Sequence, residues 1–266
     1  MNASRSHSGQ GVRAYGPWAV VTGASSGIGR AMAEHLAREG VNVVLVARRR
    51  DVLESVAATI RAASAVDTRV IAEDLSTMDG ATAVLDATRD LDVGLLVAAA
   101  GVGTSGPLLS APLDVELQML DLNCRALLVH THGFGRRFVE RGRGGLVLMA
   151  SLVGFQGVPY AAHYSATKAY VQSLAEALRV ELADTGVDVI ASAPGPVHTE
   201  FAERAGMHFS AAVSPAQVAR ATLQALGRRS AVTPGFLSKV LTYSLAPLPR
   251  SIRTRIMGQV MRSMTH

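Results

Sequence analysis

The chain holds a single cysteine, Cys124, in 266 residues, which excludes a disulfide framework and any thiolate zinc site. Lysine is nearly absent: Lys168 and Lys239 stand against 24 arginines. Aromatic residues make up only 5%, too few for the stacking platforms that single-stranded nucleic acid needs. Acidic residues stop at Glu203. The last 63 residues carry nine Lys or Arg and no acid, while the first 203 carry 17 basic and 21 acidic residues, or −4. The opening MNASRSHSGQGVRA has no apolar stretch, so no secretory leader is expected. The uncharged stretches 93–113 and 144–167 are cut by glycines and prolines, and neither is expected to span a bilayer. What is present is 48% hydrophobic, which excludes intrinsic disorder.

The apolar residues fall in short, regularly spaced runs. Residues 18–22, 41–47, 69–72, 94–98, 146–150 and 187–191 read as buried strands. Helices are predicted at about 28–39, from Asp51, around 79–89, over 114–140 and over 160–184. Continuous apolar strands alternating with helices predict an α/β domain, a doubly wound parallel sheet covered on both faces. The expected division is a flexible tail over 1–14, one domain over 15–235 and a basic segment over 236–266.

Thr22-Gly23-Ala24-Ser25-Ser26-Gly27-Ile28-Gly29 joins the first strand to the first helix. Glycines there permit positive φ and let the backbone approach a pyrophosphate at the positive helix end. A dinucleotide cradle is therefore expected from Gly23, Ser25, Ser26, Gly27, Ile28 and Gly29. The second strand runs into Ala47-Arg48-Arg49-Arg50, with no acid for a ribose 2′-hydroxyl. A guanidinium grips a phosphate, so NADP(H) is expected in preference to NAD(H), with Arg48 the main contact and Arg49 beside it. The plainer reading is a solvated basic start to a loop.

Tyr164 and Lys168 stand four apart at the start of a predicted helix, on one face and about 6 Å apart along its axis. A free phenol has a pKa near ~10, and a neighbouring ammonium is expected to lower it. One of only two lysines falling at this spot weakens the reading by chance. Ser151 ends the fifth predicted strand, where a parallel sheet presents its ligands, and can reach a substrate oxygen.

TGASSGIG together with Tyr164-Ser-Ala-Thr-Lys168 resembles the short-chain dehydrogenase/reductase family, over roughly 15–199. The resemblance implies a Rossmann fold with a helical C-terminal lid. It implies a tetrad of Asn123, Ser151, Tyr164 and Lys168, the asparagine holding a water that links the lysine to solvent. It places Asp74-Leu75 beside adenine, Ala100-Gly101 along the cofactor, and Tyr164 and Lys168 on it. Pro194-Gly195-Pro196-Val197-His198-Thr199 matches PGxVxT, so Pro194, Gly195, Val197 and Thr199 are assigned to the nicotinamide. The implied reaction is hydride transfer between nicotinamide and a carbonyl carbon, with Tyr164 passing the proton. One departure stands out: Ala98-Ala99-Ala100-Gly101 replaces the common Asn-Asn-Ala-Gly, which puts the rigidity of that loop in question. The alternative is an NADPH-binding redox sensor with little turnover.

Two short stretches, Tyr-Gly-Pro-Trp before the first strand and Val-Ala-Arg-Arg at the end of the next one, are most similar to the branch of 3-ketoacyl-CoA and 17β-hydroxysteroid reductases. Members commonly pair through the 114–140 and 160–184 helices, which implies a homodimer or homotetramer. Val153, Phe155, His198, Phe201, Met207 and Phe209 are expected to wall a pocket for an apolar carbonyl or alcohol substrate, with a lid at about 200–215. No metal site is expected, since His130 and His132 share no helix face, and no nucleic-acid partner. Arg136, Arg137, Arg141 and Arg143 read as cations suited to a helix C-terminus. The last helix carries Ile252, Ile256, Val260 and Met264 at spacing four, with Arg253, Arg255 and Arg262 off that stripe. It is expected either to dock on its own domain or a second subunit, or to act as a basic amphipathic element touching anionic lipid or an acyl-thioester handle. A cytoplasmic protein, peripheral to membranes at its C-terminal segment, is the expected setting.

Overall fold

The computed structural model describes residues 11–198 and 212–265. Seven strands, β1 (Trp18–Thr22), β2 (Asn42–Ala47), β3 (Thr68–Ala72), β4 (Val93–Ala98), β5 (Gly144–Met149), β6 (Val187–Ser192) and β7 (Ala231–Val232), form one sheet. Its order is β3-β2-β1-β4-β5-β6-β7, and every pairing is parallel. All residues of β4 and β5 are buried, as helices on both faces require. Successive side chains of a strand point to opposite faces, so two cores result. Val21 and Leu45 pack with Met32 and Leu36 of α1 (Gly27–Arg38), Leu53 and Ile60 of α2 (Arg50–Ala63), and Val218 and Leu223 of α7 (Pro215–Ala225). Val20 and Val44 pack with Val84 of α3 (Met78–Asp86), Phe134 and Phe138 of α5 (Leu127–Arg141), and Val171 of α6 (Ala162–Glu181). This is a single Rossmann-like α/β domain.

The expected helix over 114–140 is interrupted. α4 (Leu113–Leu120) and α5 flank a π-type turn, Asp121–Ala126. Such wide turns re-aim one side chain inside a helix, and here the turn carries Asn123, buried among partners on two other segments. Ser214 and Gln217 cap α7 reciprocally, with Pro215 at its first position. α7 and β7 escaped the sequence reading, as did α8 (Phe236–Leu245).

α9 (Arg250–Thr265) buries only part of the expected stripe. Among the described side chains Met257 and Met261 are buried, with Gly258 between them, flanked by Ile256 and Val260, whereas Ile252 is 42% exposed; the Met264 side chain lies outside the described residues. A row spaced by four drifts around a helix of 3.6 residues per turn, so it leaves the contact within two turns. Leu245 of α8 joins the two methionines in a third cluster with Met119, Val158 and Tyr164. Arg137 and Arg141 near the end of α5 act as ties between elements, whereas Arg136 pairs with Glu140 of the same helix. Arg137 donates to Leu85 O at 2.6 Å, and Arg141 pairs with Asp92 and donates to Tyr15 O. Among the described residues no helix is long and apolar enough to cross a membrane.

Candidate active site

All strands of a parallel sheet end on one side, and the order reverses between β1 and β4, opening a crevice at their carboxyl ends. A cavity of about 460 Å³ lies there, a usual size for a small-molecule site. Its walls start just past the strand ends: Gly23 after β1, Arg48 after β2, Glu73 and Asp74 after β3, Ala99 after β4, Ser151 after β5 and Pro194 after β6.

The glycine loop has the shape of a phosphate cradle. Gly23 has φ 69°, and a Cβ there would stand 2.9 Å from Ala100 Cα. At Gly29 a Cβ would stand 2.3 Å from Gly23 O. Ser26 precedes α1 without capping it through its side chain, so the helix offers its first N–H groups to the cleft. Ser25, Ser26, Gly27 and Ile28 line the cavity with these glycines. Arg48 and Arg49 are exposed at its edge, and Arg49 Nη2 stands 3.5 Å from Ser25 Oγ. Asp74 and Leu75 also line it. Burial works against the Asp74 carboxylate, but the Ser76 amide and hydroxyl and the Arg48 charge hold its pKa below the ordinary value. The residues present fit a dinucleotide.

The Ala98–Gly101 loop is fastened from the neighbouring strand. Thr22, 2% exposed at the end of β1, accepts hydrogen bonds from Ala99 N and Ala100 N, both at 3.0 Å. Ala100 and Gly101 are thereby held in the cavity wall.

Ser151, Tyr164 and Lys168 converge at the cavity. The Tyr164 hydroxyl is hydrogen-bonded to Ser151, and Lys168 Nζ lies 5.8 Å from the Tyr164 ring centre. Lys168 is buried and donates to Met149 O at 2.8 Å. Burial pushes its pKa down to about 8. The expectation that the lysine lowers the tyrosine is corrected: burial pushes Tyr164 up to about 12, against the opposing bond from Ser151. A phenolate in an apolar wall loses more hydration than the Ser151 hydrogen bond returns.

Asn123 does not reach the cavity. Its amide donates to Val102 O at 2.9 Å and Thr167 Oγ1 at 3.1 Å, and accepts from Val102 N at 2.9 Å. The two donated bonds occupy both N–H groups. It stays close to the lysine all the same: a Cβ on Gly101 would meet Asn123 Oδ1 at 3.0 Å and Lys168 Nζ at 3.4 Å. Of the expected pocket residues, Val153 lines the cavity, as do Pro194, Gly195 and Val197 of the loop after β6. Phe155 is instead packed on the sheet core, which claims its apolar ring. His198 is exposed, its amide donating to Val213 O, and it is absent from the wall. Thr199, Phe201, Met207 and Phe209 lie outside the described residues. The far wall comes from Ser238 and Leu241 of α8 and Met257, Val260 and Met261 of α9, of which the sequence reading named Val260 alone, and as a packing residue. The Met257–Met261 spacing was the available signal. Tyr160, the one described non-glycine residue with positive φ (64°), precedes α6, and its hydroxyl accepts from Arg262 Nε of α9 at 2.7 Å. Among the described residues no cluster of His, Cys, Asp or Glu could hold a metal ion.

Crevice, cradle and Ser-Tyr-Lys cluster define a nucleotide-binding oxidoreductase. The sequence pattern of the short chain dehydrogenase family matches residues 17–208, and the chain belongs to that family. It is 33% identical to a 7β-hydroxysteroid dehydrogenase of Clostridium sardiniense over 229 residues, 85% of this chain and 88% of that one. It is 32% identical to the very-long-chain 3-oxoacyl-CoA reductase of Homo sapiens over 253 residues, 93% of this chain and 80% of the other. Among solved structures, one from work on 7β-hydroxysteroid dehydrogenase stereoselectivity superposes with a TM-score of 0.87 at 28% identity, covering 93% of this chain and 99% of that one. A short-chain dehydrogenase from Sphingobium yanoikuyae in complex with NADPH gives 0.80 at 31% identity, covering 89% and 94%.

Proposed function

We propose that the protein is an NADP(H)-dependent reductase of a bulky apolar ketone, running reversibly to the secondary alcohol. The observation that carries this is the Ser151–Tyr164 pair facing a cavity whose far wall is Leu241, Met257, Val260 and Met261. That wall offers a steroid-like or acyl body an apolar surface, while the pair presents its two hydroxyls to the reacting carbonyl. When bound, the nicotinamide supplies or accepts the hydride. Ser151 orients the carbonyl oxygen by donating a hydrogen bond. Tyr164, with its pKa pushed up to about 12, keeps its proton at neutral pH and delivers it to the alkoxide in reduction. Lys168, with its pKa at about 8, is mostly charged there; it sits where it can hold the cofactor ribose and stabilise the phenolate left behind. Asn123 is a positioning residue, fixing the Gly101–Val102 turn against that lysine. Arg48 and Arg49 take the 2′-phosphate, and Pro194, Gly195, Val197 and Thr199 take the carboxamide end.

The relatives' names, a hydroxysteroid dehydrogenase and a long-chain oxoacyl reductase, support a large apolar substrate, and the NADPH complex of a neighbour supports the cofactor. Following NADPH consumption over 7-ketosteroids, 3-ketoacyl thioesters and short ketones tests the reading. Turnover confined to the bulky ketones supports it; NADPH binding with no turnover on any of them returns the sensor reading. We place the protein in the cytoplasm, peripheral to membranes. Exposed Leu113, Leu117 and Leu120 on α4, Leu128 on α5 and Tyr170 on α6 offer an apolar face for a second copy, as a homodimer or homotetramer. Light scattering on the purified chain reads that state directly.

A further inference from the structure

A helix on the surface of a water-soluble domain turns its polar side outward. α8 does not. Ser238 and Leu245 are buried, and Ser238 and Leu241 line the cavity. Its outward side carries Phe236 (84% exposed), Val240 (45%) and Tyr243 (70%), spaced by four and three and so forming one row. Lys239 is exposed in the same row, and Pro247, four beyond Tyr243, is exposed as well. The helix is also held firmly in this orientation. Arg253 of α9 donates to Ala246 O at 2.5 Å and Leu248 O at 2.7 Å, fastening the turn between the two helices. The outward side of α9 differs: Arg255, Gln259 and Arg262 follow Ile252 there.

From this we infer that the outer row of α8 is a docking face for an anionic lipid bilayer, with Phe236 and Tyr243 entering the interface and Lys239 and Arg250 reaching the headgroups. Aromatic rings with a polar or cationic neighbour suit the headgroup boundary. Charge selects the occupant. After Glu203 the chain has nine cations and no acid, so an isologous contact between two α8 rows would bring like charges together with no carboxylate of the segment to offset them. An anionic lipid surface meets the same cations with complementary charge. The contact expected of the C-terminal segment as a whole is narrowed accordingly to the outer side of α8. The inference deepens the proposed function, since it rests on a lipophilic substrate for its purpose: the other side of the same helix is the cavity wall, so docking would set that wall beside the membrane in which such a ketone dissolves.

The test is co-sedimentation of the full chain with vesicles of mixed phosphatidylglycerol and phosphatidylcholine, against phosphatidylcholine alone, at low and high salt. The expected result is binding to the anionic vesicles that weakens with salt, and binding at least about tenfold weaker for the Phe236→Ser/Tyr243→Ser double variant. Lys239→Glu should weaken it too, while Val180→Ser, an equally exposed apolar site at the far end of α6, should not. All variants keep turnover of a water-soluble ketone, so loss of docking and loss of the proposed function are read separately. Absence of anionic-vesicle binding, or equal binding by the double variant, overturns the inference. So does a wild-type oligomer that the double variant dissolves, which would assign the row to a second copy.

Discussion

Thr22 holds together the two strands between which the crevice opens, and replacing it by valine isolates that function. Valine keeps the shape and removes only the hydroxyl that accepts from Ala99 N and Ala100 N. Ala99 N keeps a second acceptor, Val97 O at 3.1 Å. Ala100 N loses its partner, and an orphaned donor costs about 1–3 kcal/mol when buried. The loop is partly buried, so the lower half of that range applies: ~1–2 kcal/mol, or a Tm lower by about 2–4 °C for a chain of this length. Ala100 and Gly101 form part of the cavity wall, so the loosened loop should also weaken NADPH binding by about fivefold. Thr22→Ser separates the effects, because it loses a buried methyl and some stability but keeps both bonds and the cofactor affinity. Thermal melts and fluorescence titration with NADPH measure the two quantities. Thr22→Val with unchanged affinity would refute the claim that this hydroxyl takes over the rigidity expected of asparagine side chains.

Three further outcomes rest on the same geometry. Arg48→Ala should raise the KM for NADPH about tenfold, the value expected for a solvent-exposed charge-assisted contact, and leave the KM for NADH nearly unchanged; equal effects on both would remove Arg48 from the phosphate site. Burial lowers the pKa of His130 to about 4, so from pH 6.5 down to 4 the unfolded chain binds the extra proton. Stability should therefore fall across that window by on the order of 3 kcal/mol, and His130→Gln should flatten the slope in urea titrations at stepped pH. Val260→Trp narrows the cavity from α9 and should raise KM for steroid-sized ketones while sparing short ones; equal losses would place the substrate body elsewhere.

Local pattern carried the centre of the fold. Continuous apolar runs such as residues 94–98 need both faces covered, and glycines at 23 and 29 are demanded by backbone contacts that the fold makes unavoidable. Tyr164 and Lys168 were legible because helix geometry alone brings them to one face. What sequence did not show depends on contacts between distant segments. The wide turn at Asp121–Ala126 has no composition of its own; it is fixed by the partners of Asn123 on Val102 and Thr167. Phe155 has the chemistry of a pocket residue, and only the neighbouring core decides that it packs elsewhere. The inward side of α9 was misplaced by one residue because the row through Ile252, Ile256 and Val260 and the row through Met257 and Met261, both spaced by four, are equally apolar in a linear reading. The sign of the Tyr164 shift was also out of reach, because burial outweighed a neighbour that sequence could name.

The central claim is that Tyr164 delivers the proton in an NADPH-dependent ketone reduction. Single-turnover NADPH oxidation with the best ketone substrate, comparing wild type with Tyr164→Phe, tests it most directly when NADPH affinity is measured on the same samples. The expected rate for the variant is lower by about 10²–10⁴-fold, with cofactor affinity near normal. A variant that keeps more than a few per cent of the wild-type rate would contradict the claim.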